Sequence, residues 1–145
     1  FVRGRGRLMT LPYVPTAEQR SADYPLMLTT GRVLQHYNVG TMTRRTPHRE
    51  LEDADYLEIN PQDAAAGGID DGAWVQITSR YGQTVVRSRI TGRVTPGLLF
   101  LSFHFPESHT NALTSSRGDP ESRCPEYKVT AVRIRAVTDV EVAAT

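Results

Sequence analysis

Residues 70–91 read DDGAWVQITSRYGQTVVRSRIT, and few arrangements accommodate them other than a β-hairpin. Asp71 and Gly72 form a turn, and two β-rich runs then flank residues 80–83, where Gly82 is free to take a positive φ. Period two puts Val75 and Ile77 on one face of the first run and Trp74, Gln76 and Thr78 on the other.

The flanking sequence supplies further strands. YPLMLTT (24–30), DYLEI (55–59), GLLFLSFHF (97–105) and EYKVTAVRIRAV (126–137) each read as short strands, the third introduced by a turn at Pro96 and Gly97. Two short helices fall between the first strand and the hairpin. TPHRELEDA offers Thr46 as cap with Pro47 in the first turn; NPQDAAAGGI offers Asn60 as N-cap, Pro61, Asp63 in the first turn and Gly67 as the stop. Roughly twenty residues after the third of these strands, PESHTNALTSSRGDPESRCPE, lack periodicity, which is uncommon in a compact domain unless the loop is functional. Six or so short strands with a few short helices predict a mainly β fold, a closed or nearly closed barrel. A doubly wound sheet is excluded by the missing βαβ rhythm, since GRGR at 4–7 precedes no helix and matches no phosphate-binding loop. Residues 1–23, rich in Pro, Gly and Arg, read as an extended connection from a preceding domain, 24–137 as the barrel and 138–145 as a tail. The Phe1 start, without targeting character, gives the expectation of a piece of a longer polypeptide.

At 145 residues the chain can bury one core. Its 17 Lys+Arg against 16 Asp+Glu leave a net charge of +1, so no global field favours nucleic acid or an anionic membrane. The apolar run at 98–105 is interrupted by Ser102 and His104 and is too short to span a bilayer, so no membrane insertion is expected. The single Cys124 excludes an internal disulfide framework and a zinc-finger cluster and fits a reducing compartment, the cytoplasm. His36, His48, His104 and His109 show no metal-ligand spacing.

The chain leaves its first strand through LTTGRVLQHYNVGTMTRRT (28–46), which has almost nothing apolar to bury. Small residues let a backbone approach a ligand closely, Arg32 offers a planar fork of donors, and Gln35 and Asn38 both donate and accept. The bland alternatives are a solvated Arg32 and a satisfied core His36. Arg44 and Arg45 could meet phosphate, but surface pairing with Glu50, Glu52 or Asp53 is the commoner outcome.

TTGRVLQHYNVGTMTRR, LEINPQDAAAGGIDDGAWVQITSRYG, GLLFLSFHF, TNALT and CPEYKVTAVRI, in this order, resemble the C-terminal molybdopterin-dinucleotide-binding domain of the dimethyl sulfoxide reductase superfamily, over residues 24–137. Within it the chain is most similar to the catalytic α subunit of formate dehydrogenases. The resemblance implies a six-stranded double-psi β-barrel that binds molybdopterin guanine dinucleotide carrying molybdenum or tungsten. It further implies that Thr30, Gly31, Arg32, Gln35, His36, His104, Asn111, Tyr127 and Lys128 face the cofactor. Metal ligand, proton-handling residues and iron–sulfur cluster would lie in preceding domains of the same subunit, with electron-transfer subunits as further partners, so the isolated domain is expected to be catalytically inactive. A nitrate reductase or another molybdopterin oxidoreductase shares the domain, and a free-standing double-psi barrel acting as a binding module is the reading from another class.

Overall fold

The computed structural model describes residues 2–119 and 121–138. Six strands, β1 (Leu26–Gly31), β2 (Tyr56–Ile59), β3 (Trp74–Ser79), β4 (Gln83–Ile90), β5 (Leu98–Ser102) and β6 (Thr130–Ala136), close into a barrel in the order β1-β5-β2-β4-β3-β6. This is the expected mainly β, six-stranded closed barrel with double-psi-like strand order. Parallel pairing of β1 with β5 and of β2 with β4 is combined with antiparallel pairing elsewhere.

The alternation in β3 decides its orientation: Val75 and Ile77 are fully buried, while Trp74, Gln76 and Thr78 are half-buried on the outside. Leu28, Leu57, Ile59, Leu99, Leu101, Leu113 and Val132 complete the core, and each such side chain stabilises the fold by about 1.5–3 kcal/mol. Helix α2 (Pro61–Gly67) covers one end. Asn60 accepts from Gln62 N at 3.0 Å and donates to Val94 O at 2.8 Å, and Asp63 accepts from Gly97 N at 2.7 Å, tying the helix to the turn before β5. Among the described residues no helix is long and apolar enough to cross a membrane.

Three local expectations change. Thr46 does not cap α1 (His48–Leu51); Pro47 holds that position, and the Thr46 hydroxyl donates back to Thr43 O at 2.7 Å, closing the 3₁₀ turn Thr43–Arg45. The left-handed residue ending α2 is Gly68, at φ +60°, one beyond Gly67. Gly82 does not take a positive φ; its backbone lies so close to Ala112 O that a Cβ would approach to 2.6 Å, so steric clearance is what requires glycine. The aperiodic segment is organised by two 3₁₀ turns, Pro106–Ser108 and Thr110–Leu113. Of the tail expected at 138–145, residues 139–145 lie outside the described residues.

The stretch read as a connection divides at Pro15. Leu8, Leu11, Tyr13 and Val14 are exposed, whereas Glu18 is buried and accepts from Ala131 N and Arg80 Nη1, both at 3.1 Å, and from the Tyr81 hydroxyl.

Candidate functional site

The register determines which loops meet. Gly31 lies beside Ser102 in the parallel pair, Leu28 faces Thr130, Leu57 faces Leu101 and Ser79 faces Val132 in antiparallel pairs. The chain leaving β1, the chain leaving β5, the chain entering β6 and the tip of the β3–β4 hairpin therefore share the end of the barrel opposite α2. All nine residues named from the resemblance lie on β1 or in loops at this rim.

At the end of β1, the buried Thr30 hydroxyl donates to Tyr127 O at 2.7 Å, and Lys128 Nζ donates to Thr30 O. Residues almost a hundred positions apart are thus joined directly. At Gly31 a Cβ would come within 2.5 Å of the Phe100 ring, so only glycine lets that ring lie against the backbone.

Beyond Gly31 the chain wraps around His104, which is fully buried. Val33 N–H donates to His104 Nε2 at 3.0 Å, so the ring proton is on Nδ1, which donates to Asn38 O at 2.5 Å. Asn38, left-handed at φ +48°, also accepts from Arg32 Nη2 through Oδ1 at 2.8 Å, and the Arg32 guanidinium lies 5.8 Å from the Phe103 ring centroid. His36 has the opposite tautomer: Nε2 donates to Glu52 O at 2.8 Å and Nδ1 accepts from the Thr43 hydroxyl at 2.9 Å. Its ring packs 5.7 Å from that of His104 and edge-on to Phe105 at 5.1 Å. Both histidines have every ring nitrogen occupied, which makes them the frame of the loop; Arg32 retains unused donors on its exposed edge. Gln35 is half-buried and its amide makes no hydrogen bond among the described residues. Asn111 is exposed in the second 3₁₀ turn, lining a cleft with Phe103 and Phe105.

Asp55 holds the opposite side of the rim and escaped the sequence reading. This buried carboxylate accepts from Ser102 Oγ at 2.5 Å, His104 N at 3.0 Å, Phe105 N at 2.9 Å and Ser108 Oγ at 2.7 Å. Its donors lie 47–53 residues later, and the only local sign is an acid at the start of a strand.

The arginine doublet is on the surface, with a partner not foreseen: Arg44 Nη2 pairs with Glu107 Oε1 at 2.5 Å, while Glu52 pairs with Arg89 at 2.9 Å. Glu107's own backbone N–H, then Arg44, holds its carboxyl below the usual range. Cys124 is exposed and free. No group of three or more His, Cys, Asp or Glu able to hold a metal ion occurs among the described residues.

Residues 26–131 match the family model described as "Molydopterin dinucleotide binding domain". The chain is 38% identical over 135 residues to "F420-dependent formate dehydrogenase 1 subunit alpha" of Methanococcus maripaludis, covering 92% of this chain and 20% of the relative. It is 41% identical to the F420-dependent formate dehydrogenase subunit alpha of Methanocaldococcus jannaschii, with the same coverage. A nitrate reductase of Symbiobacterium thermophilum is 40% identical over 136 residues, 90% of this chain and 18% of the relative. The chain thus spans about a fifth of the length of these curated relatives. Among solved structures, acetylene hydratase from Pelobacter acetylenicus superposes with a TM-score of 0.67 at 18% identity, over 79% of this chain and 18% of that one, a likeness of fold. With the family model covering the barrel from β1 into β6, the chain belongs to the molybdopterin dinucleotide binding domain family, homologous to the formate dehydrogenase α subunits of the dimethyl sulfoxide reductase superfamily.

Proposed function

We propose that the rim is one wall of the binding site for molybdopterin guanine dinucleotide in a formate dehydrogenase-like enzyme that oxidises formate to carbon dioxide. The observation that carries this is the convergence, at one barrel end, of polar side chains from three separate segments: Arg32 and Gln35, Asn111, and Lys128. Their chemistry suits the ligand. A pyrophosphate asks for cations and a planar fork, and a pterin or guanine edge asks for groups that both donate and accept. Arg32 and Lys128 supply the first, Gln35 and Asn111 the second, while Thr30, Gly31 and the backbone of Tyr127 hold the strand end close to the ligand. His36 and His104, buried with every ring nitrogen engaged, set the course of the 32–43 loop behind the residues that meet the ligand.

When bound, the cofactor supplies two-electron redox chemistry at molybdenum or tungsten. This chain's residues bind and orient it and exclude water from one side. Metal ligand, proton-handling residues and iron–sulfur cluster belong to preceding domains of the same subunit, and electrons leave through partner subunits in the cytoplasm.

The likeness to a nitrate reductase supports a second reading, in which the same rim serves another substrate. A free-standing barrel acting as a binding module is a third. The test is Arg32→Ala and Lys128→Ala in the full-length enzyme, reading metal and pterin content beside thermal stability, with formate and nitrate as alternative substrates for dye-coupled assay. Loss of cofactor at unchanged stability supports the rim; full loading of both variants overturns it.

A further inference from the structure

On the other side of the 105–109 turn from the Asn111 cleft, a second cleft of about 590 Å³ opens along the outer flank of β3, β4 and the start of β2. This is the size of pockets that enclose a small organic ligand. Two arginines on its wall lie over aromatic rings: the Arg44 guanidinium carbon is 4.7 Å from the Phe105 centroid and that of Arg87 4.4 Å from Trp74. Stacking immobilises a guanidinium by its face and leaves its edge of N–H donors directed outward, the arrangement that grips a carboxylate bidentately. Neither edge is used up. Arg87 gives only Nη1, to Gly72 O at 2.9 Å, and Arg44 gives only Nη2, to Glu107, so Nε and Nη2 of Arg87 and Nη1 of Arg44 are unengaged, while Arg44 Nε is buried away from the cleft. A third arginine at the cleft, the exposed Arg49 of α1, makes no side-chain hydrogen bond or ion pair.

The cleft also holds acids, and each is engaged. Asp53 accepts from the Tyr56 hydroxyl at 2.7 Å, Asp55 is saturated by the rim, and Glu107 is paired with Arg44. Formal charge at the cleft is therefore balanced, but donors exceed acceptors. The planar N–H edges of the guanidinium groups match a carboxylate, which takes two parallel bonds from such an edge. The aromatic wall favours an apolar body behind the charge.

We propose that this cleft is a second binding site, on the outer flank of the barrel behind the rim's Asp55, that takes an organic carboxylate through the edges of Arg44, Arg49 and Arg87. The carboxylate comes either from a small molecule or from an acidic side chain of a polypeptide, and the two sources separate in one experiment. The isotope-labelled chain is titrated with sodium benzoate, with acetyl-aspartyl-phenylalanine amide, and with benzamide and sodium chloride as neutral and ionic-strength controls. The expected result is saturable movement of the Trp74 indole N–H and arginine Nε–H signals with benzoate or the peptide and not with either control. Affinity should fall about tenfold or more in Arg87→Gln and in Arg49→Gln, the loss expected of a charge-assisted pair. Saturation by benzoate identifies a small-molecule site, and saturation by the peptide alone identifies a polypeptide carboxylate. Shifts no larger than those from chloride, equal shifts with benzamide, or undiminished affinity in Arg49→Gln overturn the proposal. Arg49 makes no side-chain bond, so that variant reports on binding even where Arg87→Gln perturbs folding.

Discussion

Asp55 shows how much of the rim can hang on one side chain. Four donors from the chain leaving β5 converge on its carboxylate, so Asp55→Ala strands them without an acceptor in a buried place. The expected loss is about 1–3 kcal/mol for each donor left unsatisfied, read as a fall in the urea midpoint. Arg32, exposed at the same rim, should behave oppositely, with Arg32→Ala changing stability by about 0.5 kcal/mol or less by the same measurement. Tyr56 carries a pH signature. Its hydroxyl bond to Asp53, then burial and the Asp53 charge, raise its pKa above the ordinary 10.0, with Arg89 opposing. A raised folded value means that the contribution to stability is present below the unfolded pKa and is lost as pH rises through the folded one. The difference in phenolate absorbance between the parent chain and Tyr56→Phe should therefore titrate above the range of free tyrosine, and Tyr56→Phe should lack that alkaline loss.

At the scale of elements, α2 is the best-punctuated segment and the most predictable. Asn60 both caps the helix and ties it to Val94, so Asn60→Ala should cost about 1–2 kcal/mol in chemical denaturation. Helix α1 starts without a Thr46 cap because Thr46, which has the chemistry of one, is drawn back to Thr43 by the preceding 3₁₀ turn. The hairpin differs again: its alternation was plain, yet the need for glycine at 82 comes from Ala112, thirty residues on. Gly82→Ala should loosen the contact between hairpin tip and rim, seen as faster hydrogen exchange of the 110–113 amides while those of β3 and β4 stay protected.

For the whole molecule, closure of the barrel leaves the rim open to one side. Charge-assisted bonds from one wall contribute about 1.5–3 kcal/mol each before association and ordering costs are subtracted. The chain alone is therefore expected to show little thermal shift with a guanine nucleotide and no formate-dependent dye reduction when cofactor is supplied. Tight binding would mean that the rim is already a complete site. Glu18 belongs to the same end of the barrel: buried there, it fastens the 16–19 segment beside Tyr81 and Ala131, while residues 8–14 remain exposed.

Strand alternation, the capped α2, the absence of a phosphate loop and the order of motifs were legible because they rest on preferences of neighbouring residues for particular backbone angles and faces. Asp55 as an anchor, the opposed tautomers of His36 and His104, Arg44 meeting Glu107, and the bond from Lys128 to Thr30 across 98 positions were not. A polar side chain in a sequence offers donors and acceptors without naming a partner. Only closure of the barrel, which sets β1 beside both β5 and β6, decides which of them are close enough to be satisfied and which remain free for a ligand.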